Sequence, residues 1–353
     1  MPPHLHCPHS APPEDRSGNF GLIHLAIRQS KTISITDAKQ MGLNNNASAI
    51  LKTCLDNSDS LRINATEQSG ATIVDFGVNQ PGGLSAGLAL ARICMAGLAR
   101  VELQAAGDLI PMPQVVVQTD QPVAACLQSQ YAGWKIATDD FFAMGSGPMR
   151  ASASSEELFQ EFPSSEDATE CVGVLESGSL PTESAISKMQ ESLSNGMELS
   201  LAVAATASHA GNLQVVARSV ETAMHKLHEI GFPLETIQSG FGSAPLPPVA
   251  KDDLKGIGRT NDAILYGGTV NLWVDCEDQI IEEFGPQTPS NSSESHGEKF
   301  LTLFKNANHD FYALDKSLFS PAVIRFHNSR SGNSFCFGEY LPGLLRESFG
   351  IQG

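Results

Sequence analysis

A chain of 353 residues with 41% apolar content is long enough to bury roughly three quarters of its unfolded surface, in one large or two closely joined domains. Its 22 basic and 39 acidic residues leave a formal charge of −17 with no Lys/Arg-rich run, which argues against nucleic acid or an anionic membrane as partner. No apolar segment approaches 20 residues, and the N-terminus lacks a charged start followed by an apolar run, so the expectation is a cytoplasmic protein.

Seven scattered cysteines without a C-x-x-C pair read as reduced, mostly buried thiols rather than metal ligands. Residues 1–30 are rich in proline and read as a flexible tail. Their HLHCPH segment is not taken as a metal site, because ligands need a scaffold to fix their geometry. Residues 31–353 read as one compact unit, which two intertwined subdomains would satisfy.

An amphipathic helical pattern runs from Thr36 to Leu55, and Ser60 to Phe76 reads as two strands around a turn at Glu67 to Gly70. A strand ends at Asp75-Phe76-Gly77, a Pro-Gly-Gly turn follows, and a helix from Leu84 carries many Ala and Gly residues. That composition serves close packing, and the helix N-terminus is alternatively an anion cradle. Leu109 to Gln118 reads as a strand. The turn Gly145-Ser146-Gly147-Pro148 precedes Arg150, which stands where a dinucleotide fingerprint needs its third glycine, so that reading fails. A carboxylate or phosphate site at this turn stays open.

Val172 to Leu175 reads as a short strand, and Pro181-Thr182-Glu183 starts a helix. Leu199 to Ala204 is a strand, Thr206 to Gly211 a small turn, and a helix then runs to Gly231 at the C′ position. Leu213, Val216, Ala217, Val220, Ala223, Met224, Leu227 and Ile230 form its apolar stripe. Gln214, Arg218, Glu221 and His225 fall in one arc beside that stripe. Spacing alone reads Arg218 and Glu221 as an ordinary surface pair, and His225 and His228 likewise.

Ile237 to Pro248 reads as a Gly/Pro loop, too irregular for a helix or a central strand. Asp262 to Tyr266 and Thr269 to Val274 read as strands or short helices. The polar run Arg259-Thr260-Asn261-Asp262 is open between a surface turn and a binding segment. Residues 285–299 form an acidic low-complexity segment expected to be mobile. A helix from Glu298, a strand within 318–332 and a terminal helix over Gly343 to Phe349 complete the chain.

Four blocks carry a resemblance: Gly145 to Ala151 (GSGPMRA), Ala205 to Lys226 (ATASHAGNLQVVARSVETAMHK), Gly258 to Gly268 (GRTNDAILYGG) and Phe319 to Ala322 (FSPA). In content, order and spacing the chain resembles the methenyltetrahydromethanopterin cyclohydrolase family over about residues 33–349. Met149, Ala205 and His209 depart from the family pattern. The resemblance implies a mixed α and β fold (α/β or α+β), with two tightly associated sheet-and-helix parts enclosing a deep pocket, and a homotrimer.

The implied reaction is hydrolysis of an N5,N10-methenyl tetrahydromethanopterin cation to the N5-formyl form, and the reverse, with the pterin as substrate and neither a metal nor a prosthetic group. The alternatives are a pterin carrier without turnover and a cyclohydrolase of the folate analogue. By the resemblance, Glu221 is the base and Arg218, from the R-x-x-E of the helix, orients it and contacts the developing formyl oxygen. Beside Arg218 the carboxylate is expected to be ionised and a weaker base. Ser146, Gly147, Arg150, Thr206, Ser208, Arg259, Thr260, Asn261, Asp262 and Ser320 are the implied substrate-binding residues.

Overall fold

The computed structural model describes residues 42–351 apart from 155, 165, 167, 194 and 195. The expected N-terminal tail, its histidines and the start of the Thr36 helix lie outside the described residues. Among the described residues twelve strands follow in chain order: β1 Asn64–Gln68, β2 Ala71–Gly77, β3 Arg100–Gln104, β4 Gln114–Thr119, β5 Trp134–Ala137, β6 Phe142–Ser146, β7 Glu170–Glu176, β8 Glu198–Ala204, β9 Ile237–Pro245, β10 Thr269–Val274, β11 Val323–Asn328 and β12 Ser334–Gly338. They form two six-stranded sheets, ordered β1-β2-β8-β7-β6-β5 and β12-β11-β10-β9-β4-β3. The mixed α and β class therefore holds.

The centre of the first sheet is parallel: β2 pairs with β8 and β8 with β7. These strands are nearly continuous apolar runs because both of their faces are covered. Val74, Phe76, Val172, Val174, Ala202 and Ala204 pack on one side. Ile73, Cys171, Leu175, Leu199, Leu201 and Val203 pack on the other. The β1–β2 hairpin closes through Ser69 and Gly70, both at positive φ (50° and 75°), the backbone that suits a two-residue turn.

In the second sheet only β10 and β11 run parallel. One face carries the main core, where Val115, Val117, Val270, Leu272, Ile324 and Phe326 meet Leu213, Val216, Val220 and Leu227.

Four sequence expectations need correction. Ile237 to Pro245 is not a loop: β9 lies inside the second sheet, between β10 and β4. Its glycines are a packing device. A Cβ at Gly240 would come within 2.8 Å of Val220, and one at Gly242 would meet Ser219 and Val220, so two glycines two apart let the Ser219–Glu229 helix press onto the strand. Residues 253–267 are one 15-residue helix, capped where Asp252 accepts the N–H of Lys255 at 2.8 Å, rather than a turn flanked by short segments. The strand expected from Leu109 begins only at Gln114, because Pro111 and Pro113 bring no N–H to a ladder.

The long helix expected after Gly211 is two, His209–Val216 and Ser219–Glu229, broken at Ala217-Arg218. The apolar stripe runs through the break without interruption, so periodicity cannot detect it. The carbonyl of Ala217, released there, accepts the side-chain amide of Gln130 at 3.1 Å.

The loop after β2 folds back onto its own acid. The amides of Gly77, Val78, Asn79 and Gln80 all donate to the carboxylate of Asp75 at 2.7–3.1 Å.

Candidate active site

The carboxyl ends of β7 and β8 open beside the break at Ala217-Arg218, the edge of a parallel sheet where ligands commonly sit. A pocket of about 430 Å³ lies there. Strand β6 contributes Phe142 and Met144, and β7 contributes its last residue, Glu176. Thr206 follows β8, Arg218 and Glu221 come from the broken helix, and Ile257, Thr260, Asn261 and Ile264 share one side of the Asp253–Gly267 helix. Phe311, Tyr312, Lys316 and Phe319 form the rim from a later segment.

Arg218 is buried and held on several sides. Its Nη1 donates to the carbonyl of Gln130 at 2.5 Å and its Nη2 to Ser146 Oγ at 3.1 Å. Two carboxylates flank the guanidinium: Glu176 at 3.4 Å and Glu221 at 3.8 Å. The Glu221 distance is too long for a hydrogen bond. Among the described residues no N–H or O–H hydrogen-bonds the Glu221 carboxylate, so its lone pairs are left for a ligand. The surface-pair reading of Arg218 and Glu221 fails, since their side chains are only 7% and 8% exposed.

Burial raises the pKa of Glu221 to about 7; Arg218 and Arg150 pull it down, and Glu176 adds to the rise. Arg218 does pull Glu221 toward its ionised form, as expected, but desolvation outweighs the guanidinium, which is shared between two acids. Desolvation also raises Glu176, opposed by Arg218 and Gln214 and reinforced by Asp253. His225 is pushed down to about 4 by burial and stays neutral at physiological pH.

Of the expected site residues, Arg218, Glu221, Thr206, Thr260 and Asn261 line the pocket. Ser146 lies beneath the wall and supports Arg218. Gly147 adopts φ +85° and donates its N–H to Ser129 at 2.8 Å, a backbone role that needs glycine. Arg150 is fully buried and forms a two-point pair with Glu156 at 2.8 and 2.5 Å. It also lies 4.9 Å from the Tyr131 ring centre, and Tyr131 stacks on His225 at 4.4 Å. Arg150 thus acts on the pocket through an aromatic wall residue.

The remaining four lie outside the lining. Ser208 caps the helix after β8 by accepting the N–H of Gly211 at 3.0 Å. Arg259 donates to the carbonyls of Ser348 and Pro248. Asp262 accepts from the Phe300 N–H and the Ser348 hydroxyl. Ser320 is buried. His225 and His228 are each satisfied by a partner of their own: His228 bonds Glu161 at 2.8 Å, and His225 packs on Tyr131.

Sequence reasoning missed Glu176, Asp253, Tyr131 and Gln130 as parts of this arrangement. For Glu176 a signal existed: a lone acid ending the apolar run CVGVLE is the residue a buried parallel strand delivers to its open edge. Among the described residues no group of three or more His, Cys, Asp or Glu side chains is placed to hold a metal ion.

A largely apolar pocket with an unencumbered buried carboxylate and a firmly held guanidinium defines, as a class, an acid-base enzyme site for a small molecule. The family model Cyclohydrolase (MCH) matches residues 42–349. Proteins named methenyltetrahydromethanopterin cyclohydrolase are similar over most of the chain. That of Rhodopirellula baltica is 46% identical over 80% of this chain and 87% of its own. Those of Methylobacillus flagellatus and Methanococcoides burtonii are 42% and 41% identical, over 86% and 88% of this chain and 94% and 99% of theirs. The chain belongs to the methenyltetrahydromethanopterin cyclohydrolase family.

Proposed function

We propose that this chain catalyses the reversible hydrolysis of N5,N10-methenyltetrahydromethanopterin to N5-formyltetrahydromethanopterin in one-carbon metabolism. The observation that carries the reading is the Glu221 carboxylate: at the pocket wall, free of hydrogen-bond donors among the described residues and poised near neutrality. A general base works best when its pKa lies near the operating pH.

In the forward direction Glu221 takes one proton from water as the oxygen bonds to the amidinium carbon, which neutralises the cation and leaves a tetrahedral adduct. The proton on Glu221 passes to N10 as the carbon–N10 bond breaks. The adduct's hydroxyl proton goes to solvent as the formyl carbonyl forms, so one cation and one water give a neutral formyl pterin and one proton. Arg218 faces the oxygen on which charge develops. With both acids ionised, the set Glu176, Arg218 and Glu221 carries a net charge of −1. A guanidinium beside a cationic substrate is in this way compatible with binding.

Thr206, Thr260 and Asn261 supply hydroxyl and amide groups for the pterin, while Phe142, Met144, Ile257 and Phe319 give apolar surface for its ring. We further propose a homotrimer, a cytoplasmic location and a single working unit over the residues that the family model matches, 42–349. A monomer mass by light scattering would remove the trimer from the account.

The decisive test mixes purified protein with the methenyl derivatives of tetrahydromethanopterin and of tetrahydrofolate. Loss of methenyl absorbance with the first supports the proposal. Turnover of the folate derivative alone, or binding without turnover, would overturn it.

A further inference from the structure

The carboxylate closer to Arg218 is not Glu221 but Glu176, at 3.4 Å against 3.8 Å. The two acids reach the guanidinium from different layers, one from the carboxyl end of β7 and the other from the helix that follows the break. Neither anchors Arg218 alone, because the carbonyl of Gln130 and the hydroxyl of Ser146 fix its two terminal nitrogens. Removing Glu176 therefore leaves the cation in place and makes Glu221 its sole acidic partner.

We propose that Glu176 is a positioning residue of this reaction, which by sharing Arg218 keeps Glu221 available as a base and keeps the pocket attractive to a cation. The inference rests on the hydrolytic reading of the site.

The groups that face this set from the surrounding elements are Cys94, Cys126, Tyr131, Arg150, Asp253 and His225. Burial keeps the two thiols and the phenol protonated and His225 neutral at pH 7. Arg150 is matched by Glu156. The balance at Glu221 is set by desolvation first, then by Arg218 and Arg150, with Glu176 as the acid that opposes the two guanidiniums. Loss of the Glu176 charge acts in one direction twice: a repelling neighbour disappears, and the Arg218 guanidinium is no longer divided. Both changes favour ionised Glu221 and weaken it as a base. With both acids ionised, the same loss takes the set from −1 to neutral, so a cationic ligand is held less well while a neutral one is hardly affected.

The test compares wild type with Glu176→Gln and Glu176→Asp. Carboxyl titration by infrared or carbon-13 NMR follows Glu221 directly, its signal identified by its absence in Glu221→Gln. In Glu176→Gln, Glu221 is expected to titrate about one pH unit lower, and Glu176→Asp to restore the wild-type value. The KM for the methenyl cation is expected to rise about tenfold in Glu176→Gln, with less than about a twofold change for the neutral formyl substrate. Unchanged titration of Glu221, or an equal rise in KM for both substrates, would overturn the proposal. Absence of turnover in the wild-type protein would sink the hydrolytic reading, and the titration would still decide the electrostatic one.

Discussion

Replacing Arg218 with lysine separates charge from shape. The guanidinium makes two bonds at once, to the carbonyl of Gln130 at 2.5 Å and to Ser146 at 3.1 Å, while facing Glu176 and Glu221. An ammonium is a point charge on a flexible stem and cannot span that set. Wherever it settles, at least one charge-assisted bond is lost; if the loss falls on the buried carbonyl, stability drops by about 2–3 kcal/mol. Turnover is expected to suffer more than binding, because a misplaced donor no longer meets the oxygen as charge develops. The loss of one such preorganised donor costs about 100-fold or more in kcat. Denaturant unfolding reads the first effect, and the decay of methenyl absorbance under saturating and limiting substrate reads the second. An Arg218→Lys protein with wild-type kcat and only a raised KM would refute the role given to this residue.

Further outcomes follow from burial and close packing. Glu221 holds its proton up to about pH 7 in the folded chain but only to 4.5 in a model peptide. The native state thus binds more protons in that window, and wild-type stability falls as pH rises through it. Glu221→Gln escapes the loss, so at pH 8 the mutant is expected to be more stable by roughly 3 kcal/mol, an advantage that vanishes near pH 4.5 and is checked by urea unfolding at both values. Gly242→Val drives a side chain into Ser219 and Val220 and is expected to cost about 1–3 kcal/mol and to lower kcat by shifting the helix that carries Glu221; unchanged unfolding would contradict the packing argument. Asp262→Ala removes the acceptor for the Phe300 amide and the Ser348 hydroxyl, so it is expected to lower the unfolding midpoint while KM for the pterin stays within about twofold.

The sequence made the apolar centre legible: β2, β7 and β8 announce themselves as unbroken hydrophobic runs, and Gly231 does terminate its helix at φ +82°. It concealed β9 because Gly240 and Gly242 answer to a helix that lies elsewhere in the chain, and local propensity carries no trace of that neighbour. The break at Ala217-Arg218 was hidden for a related reason, since the stripe of buried residues continues across it. Within the site, the R-x-x-E spacing placed Arg218 and Glu221 side by side but could not give their burial, which raises the acid's pKa by more than Arg218 lowers it. Motif membership also gathered residues of two kinds. Thr206, Thr260 and Asn261 reach the pocket, whereas Ser208, Arg259 and Asp262 satisfy backbone and side-chain partners that hold the elements around it. Glu176 lies in none of the four blocks, and only the pairing of β7 with β8 brings it to Arg218.

The central claim is that Glu221 takes the proton from the attacking water, and single-turnover hydrolysis of the methenyl pterin by Glu221→Gln tests it most directly. The account expects the rate to fall by about 100- to 10,000-fold, with the substrate still bound and with the wild-type dependence on a group near pH 7 abolished. A Glu221→Gln protein that hydrolyses the cation at the wild-type rate, with the same pH profile, would contradict it.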